Sequence, residues 1–195
     1  MTTPARINFK IYQGSTFSEV LRWESSQKTY VPITAIAQSA PLVVTAPGHN
    51  LTPDWRVKFT NISGMTELNG DTYYQVTSVT SDTITINSVN SIGYKAYIAG
   101  GIVEYNTPID LTGVTGRMQI RASANSDTVI QELTSTNGLL NISNVNKTIT
   151  LTMSDTITAG FDFSTAVYGL ELISSSGQVT PFCVGSIALF KEVTR

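Results

Sequence analysis

The chain has 195 residues, a mass of 21.1 kDa, a formal net charge of −2 and a pI near 5.3, and only 13% of its residues are charged, against about 25% in typical globular domains. That length buries one good core or two small ones, so domain count is left to the pattern along the chain. No basic field is available to hold a phosphate backbone, which argues against a nucleic-acid partner, and the single cysteine, Cys183, excludes an intrachain disulfide and a cysteine-based zinc site.

At the start, MTTPARINFKIYQGSTF carries no apolar run ahead of a small-residue cleavage site, and no segment reaches the length of a bilayer span. This predicts synthesis in a cytoplasm, with any extracytoplasmic destination reached as part of an assembly or by lysis. INFKIY alternates through Ile7, Phe9 and Ile11, and TFSEVLRW through Phe17, Leu21 and Trp23 with Val20 out of register. The turn residues around Gly14 predict that these two strands form a hairpin. ESSQKTYVPITAI then reads as a polar break followed by an extended stretch around Pro32, because the residue before a proline is pushed away from helical angles.

From about Ala35 the texture changes. PLVVTA is a short strand closed by Pro47 and Gly48, WRVKF is another, TYYQVTSV and TITINSV pair across Thr80 to Asp82, and GIVEY at 101–105 ends the series. Five short strands without a helix must curl or close to bury an apolar face, which predicts a small barrel-like module over 35–105. Within it GMTELNG, residues 64–70, reads as a hairpin connection, since Asn69 and Gly70 readily supply positive φ.

After TPIDLTG a longer rhythm returns in GRMQIRAS, TVIQELTS, LLNIS, KTITLTMS, VYGLELISS and VTPFCVGSIALFKEV. Met118 and Ile120 alternate with Arg117, Gln119 and Arg121, and Ile149, Leu151 and Met153 alternate with threonine and serine, giving one dry face and one wet. SDTITAGFDF is the one helix-compatible piece, capped by Ser154 or Asp155 and ended by Gly160. The whole reads as an all-β chain, with a two-sheet sandwich formed from its outer parts.

Candidate sites are few. His49 in PGHNL is the sole imidazole and reads as a turn residue, because no second histidine exists for a zinc or facial-triad site and no GxSxG elbow accompanies it. The carboxylates Glu67, Asp71, Asp82, Glu104 and Asp110 stand in no glycosidase motif, and Asp110 in DLTG reads as hydrogen-bonding its own turn. Gly100 and Gly101 read as a bend or bulge, and Cys183, between Phe182 and Val184, as a buried small hydrophobe. Trp55, Tyr73, Tyr74, Tyr94 and Tyr97 cluster in the middle segment, where core packing, a protein interface and a sugar-stacking platform compete. Trp55, Met65, Tyr94 and Tyr97 are the candidate interaction surface; no catalytic, cofactor or metal residue is assigned.

The outer segments IYQGSTFSEVLRWE, PIDLTGVTGRMQIRAS, TITLTMS, VYGLELISS and the terminal EVTR resemble a widespread family of tailed-phage virion proteins. They are similar to the Ig-like N-terminal domain of phage upper baseplate proteins, with the DLTG and RMQIR pair as the most specific part. The middle, VVTAPGHNLTPDWRVKFTNISGMTELNGDTYYQV with YKAYIAGG, resembles small β modules of phage structural proteins that are likened to the first catalytic cysteine half-domain of ubiquitin-activating enzymes. That likeness concerns fold, since the segment contains no cysteine.

The resemblance implies an Ig-like β-sandwich over 1–34 and 106–195, split by the 35–105 module, in a non-enzymatic virion protein with no cofactor. Its expected partners are other phage virion proteins: tail, baseplate or fibre subunits for an attachment adaptor, or capsid subunits for a head decoration or head–tail joining protein. A host-glycan-binding module is a further alternative, and a carboxylate glycosidase has the least in its favour.

Overall fold

The computed structural model describes residues 3–192, so the end of EVTR, from Val193 on, lies outside the described residues. The first strands are β1 (Ala5–Arg6), β2 (Phe9–Tyr12), β3 (Phe17–Leu21), β4 (Glu24–Pro32), β5 (Ala35–Ala37) and β6 (Leu42–Thr45). They are followed by β7 (Arg56–Ser63), β8 (Tyr74–Gln75), β9 (Ser78–Val79), β10 (Thr83–Ile86) and β11 (Ala99–Pro108). The last series is β12 (Thr115–Arg121), β13 (Gln131–Thr134), β14 (Leu140–Ser143), β15 (Thr148–Met153), β16 (Thr165–Ile173) and β17 (Val179–Phe190), with one short helix, α1 (Asp155–Ala159), after β15. The protein is all-β, as the alternation predicts.

The chain forms two compact units. The first comprises residues 1–22, 110–144 and 148–195, and the second residues 23–109 with 145–147. The change of texture along the chain predicts boundaries at 34 and 106 instead. The exit lies earlier because the supposed polar break ESSQKTYVP is a nine-residue strand, β4, that pairs antiparallel with β11 from Ile102↔Pro32 through Pro108↔Glu24. A run of polar residues reads as loop in sequence but makes a serviceable edge strand, where Lys28 and Pro32 also discourage pairing with another chain.

In the first unit a six-stranded sheet, ordered β1-β17-β16-β12-β13 with β2 also on β17, packs on a three-stranded sheet, β14-β15-β3. The alternation sorts the side chains. Met118, Ile120, Leu170, Leu172, Cys183 and Ile187 from one sheet and Leu140, Ile149, Leu151 and Met153 from the other are buried. Each such side chain contributes about 1.5–3 kcal/mol by leaving water. Phe9 meets Phe17 edge-on, with ring centroids 5.7 Å apart, and the missing side chain of Gly116 makes room for Leu140, whose methyls would lie 2.9 and 3.0 Å from a Cβ there.

The hairpin expected at Gly14 is not formed. The turn itself is tight, with the Ser15 N–H donating to the Tyr12 carbonyl at 3.1 Å. Yet β2 runs parallel to β17, from Ile187↔Phe9 to Phe190↔Tyr12, whereas β3 pairs antiparallel with β15 in the other sheet. The turn is therefore a corner between sheets. Alternation says which face of a strand is dry but not which strand lies beside it.

Elsewhere the local signals hold. Ser154 caps α1 by accepting from the Ile157 N–H, and Gly160 follows as C-cap. Pro181 lies beside the register shift between Leu170 and Glu171, a place where a strand tolerates a residue without an N–H.

The second unit corrects the barrel expected for the middle segment. Its strands form two four-stranded sheets, β5-β6-β10-β9 and β4-β11-β7-β8, and no closed barrel. The sheets share one core containing Leu42, Val44, Val57, Phe59, Ile84, Ile86 and Val103. Five strands alone would have to close to bury an apolar face; β4 and β5 supply enough strand to bury both inner faces without closure.

Candidate interaction surfaces

Four of the five middle-segment aromatics are core-side residues, whereas Tyr73 is exposed, with the Arg56 guanidinium 4.3 Å from its ring centroid. Trp55, Tyr74, Tyr94 and Tyr97 are partly buried and pack against the core of the second unit. Trp55 lies against Tyr105, with ring centroids 5.9 Å apart, and its buried indole N–H finds no acceptor among the described residues. The Tyr97 hydroxyl is hydrogen-bonded to main-chain carbonyls, those of Gly100 at 2.9 Å and Ile33 at 3.2 Å, so its polar end ties β11 to the segment after β4. The Tyr94 main chain is bonded at both ends, its N–H to Ser91 O and its carbonyl to Gln38 Nε2.

Met65 is fully buried, with 0% exposure, and so offers nothing to a partner. Its loop explains why. After β7 the chain makes a single 3-10 turn at Thr66–Leu68, which drives Met65 and Leu68 inward and leaves Glu67 outside. The loop then joins β8, which pairs with the start of β7 through Arg56↔Gln75 and Val57↔Tyr74. Gly70 has positive φ, 147°, as the turn chemistry suggests, but Asn69 is extended at φ −70°.

His49 sits in a turn and is buried. Its Nδ1 accepts from the Leu51 N–H at 3.0 Å, which puts the ring proton on Nε2, 3.1 Å from the Thr80 carbonyl. Both nitrogens are thus occupied, and the His49 carbonyl accepts from the Tyr105 hydroxyl at 2.6 Å. Asp110 accepts from the Thr112 hydroxyl at 2.8 Å and the Thr112 N–H at 3.3 Å, the local turn bonding predicted for DLTG. Gly100 and Gly101 both have positive φ, at 71° and 97°, and bend β11 opposite Asn61, itself at 58°.

Glu104 is the carboxylate whose setting the sequence concealed. It is 7% exposed, accepts from Lys28 and lies 3.4 Å from the Lys58 ammonium. The hydrogen bond from Lys28 holds its carboxyl below the usual range, with burial opposing and Lys58 assisting. Lys58 also reaches the exposed Asp71 at 3.1 Å. Glu67, by contrast, is kept low by main-chain donors, its own and that of Lys95. Cys183 is fully buried, and burial pushes its thiol up. Burial likewise raises the Tyr168 phenol, whose hydroxyl donates to the Ile7 carbonyl at 2.8 Å.

The first unit carries exposed aromatic surface outside the residues expected to form an interface. Tyr12 and Phe190 are 59% and 44% exposed and stack with centroids 5.2 Å apart, as the parallel pairing of β2 with β17 sets them side by side. Tyr12 is out of phase with Phe9 and Ile11, and that signal was present in FKIY. The pairing with Phe190 was not, because the two lie at opposite ends of the chain.

These features define an all-β protein of two units, the first interrupted in sequence by the second. The family model of the ubiquitin-activating enzyme E1 FCCH domain matches residues 40–106, which span β6 to β10 and most of β11. The likeness is confined to the second unit, and Cys183 lies outside it. No curated protein matches the chain.

Proposed function

We propose that the protein is a non-enzymatic structural component of a tailed-phage virion, a tail, baseplate or fibre-attachment adaptor that docks on neighbouring virion subunits. The observation that supports this reading is the adjacency of two of the segments that carry the resemblance to Ig-like upper baseplate domains. GRMQIR and VYGLELI form β12 and β16, hydrogen-bonded neighbours from Thr115↔Ile173 to Arg121↔Val167. They form part of a sandwich sheet that also carries the exposed Tyr12 and Phe190 pair, and rigid aromatics of this kind are the usual anchors of protein interfaces. In this reading the sandwich supplies the docking faces and the second unit braces or contacts another subunit.

Quantitative mass spectrometry on separated heads and tails from purified particles tests it. A tail-bound count of about 6 to 12 copies matches a cyclic ring or fibre anchor. A head-bound count on the order of hundreds makes the protein a capsid decoration instead. Absence from purified particles removes the virion reading altogether.

A further inference from the structure

The outward face of the six-stranded sheet in the first unit holds a depression of about 480 Å³, lined among others by Arg6, Arg117, Arg121, Gly169, Glu171 and Val184. Its origin is a missing side chain. Register places Gln119 and Val184 on either side of Gly169, and Arg6 beyond Val184. Gly169 lies mid-strand in β16, its φ is outside the left-handed region, and a Cβ there would meet nothing within 4 Å. Neither backbone conformation nor crowding requires glycine, and glycine within a strand weakens it. What the residue produces is the hollow.

Three guanidinium groups rim that hollow. Arg117 is paired with Glu171 at 2.9 Å, both half-exposed. Arg121 is held by neutral acceptors, the Ser126 carbonyl and Gln119 Oε1, so its charge has no carboxylate partner among the described residues. Arg6 makes no side-chain hydrogen bond or ion pair among the described residues. The other carboxylate on this face, Glu132, accepts from Gln119 Nε2 at 2.7 Å. The face therefore carries a local positive excess in a chain whose net charge is −2.

We propose that this notch docks an acidic segment of a partner polypeptide, laid across the strands with a carboxylate received by Arg121 and Arg6 over Gly169. Arginine suits this role, because its planar fork binds carboxylate through two parallel hydrogen bonds. Charge complementarity selects the occupant. Glu171 and Glu132 would repel a continuous phosphate backbone, whereas a short peptide places single carboxylates between them. Size agrees: the path from β1 to β12 crosses three strand spacings, about 14 Å, the reach of roughly four extended residues. The proposal does not rest on the virion reading, and its failure leaves particle copy numbers untouched.

The test is fluorescence anisotropy of the full chain with a labelled oligoglutamate peptide at low ionic strength, beside a neutral peptide of equal length and oligothymidylate. Expected are binding of oligoglutamate alone, loss of it with added salt, and amide shifts at Gln119, Gly169 and Val184. Gly169→Leu, which fills the notch, and Arg121→Gln should each weaken binding about tenfold or more. Arg6→Gln alters an exposed side chain with no bonding partner among the described residues and serves as the variant least able to disturb folding. Oligoglutamate that fails to bind the wild-type chain overturns the proposal. So does binding that survives both Gly169→Leu and Arg6→Gln, or oligothymidylate binding as tightly as oligoglutamate.

Discussion

The side chain of Asn69 pairs with both main-chain polar groups of Ile62: its Oδ1 accepts from the Ile62 N–H at 2.9 Å, and its Nδ2 donates to the Ile62 carbonyl at 2.9 Å. The carboxamide thus stands in for a neighbouring strand at the end of β7, where the chain has turned into the GMTELNG loop. Asn69→Ala leaves both groups unpaired and should cost about 1–3 kcal/mol. The check is the denaturant midpoint together with faster hydrogen exchange at the Ile62 amide. An unchanged exchange rate would show that the pair does not hold the loop.

Met65 anchors the same loop from inside. Met65→Ala should destabilise the protein by about 2–5 kcal/mol, through lost burial and the cavity left behind. Thermal or chemical denaturation measures the loss. A stability within error of wild type would contradict the buried position and reopen Met65 as a contact residue.

Gly101 tests the bend in β11. Its φ is 97°, and a Cβ there would lie 2.7 Å from Ile62 Cγ1 and 3.1 Å from Ile33 Cδ1. Gly101→Ala combines an unfavourable backbone region with crowding of core side chains and should cost roughly 1–3 kcal/mol or more. Gly169→Ala is the natural control, since it adds a methyl to open space and should leave the melting temperature at or above that of wild type.

Glu104 makes part of the stability depend on pH. Its folded pKa is lowered from the ordinary 4.5, chiefly by the hydrogen bond from Lys28, so the carboxylate form stabilises the fold. That contribution is fully present above the unfolded value and disappears as pH falls through the lower folded one. Glu104→Gln should therefore be less stable than wild type at neutral pH, and the gap should narrow in the acid range below 4.5. Denaturant midpoints across that range decide it; a gap independent of pH would mean that Glu104 acts through packing alone.

Local chemistry in the chain foretold much of this protein. Alternation at Met118 and Ile120, and at Ile149, Leu151 and Met153, marked strands and their dry faces, because a strand's side-chain period is independent of its partners. Ser154 before α1, the self-bonded Asp110 and the bend at Gly100 and Gly101 are likewise short-range effects, complete within a few residues. Partnership is not. Nothing in QGS distinguishes a hairpin from a corner between sheets, and nothing in ESSQKTYVP shows that β11 will take it as a neighbour. The burial of Met65, the stacking of Tyr12 on Phe190, the setting of Glu104 between two lysines and the arginine rim around Gly169 all arise between residues far apart in the chain. Such contacts exist only once strand order and register are chosen, and that choice is made by the joint burial of all the dry faces, which no single segment encodes.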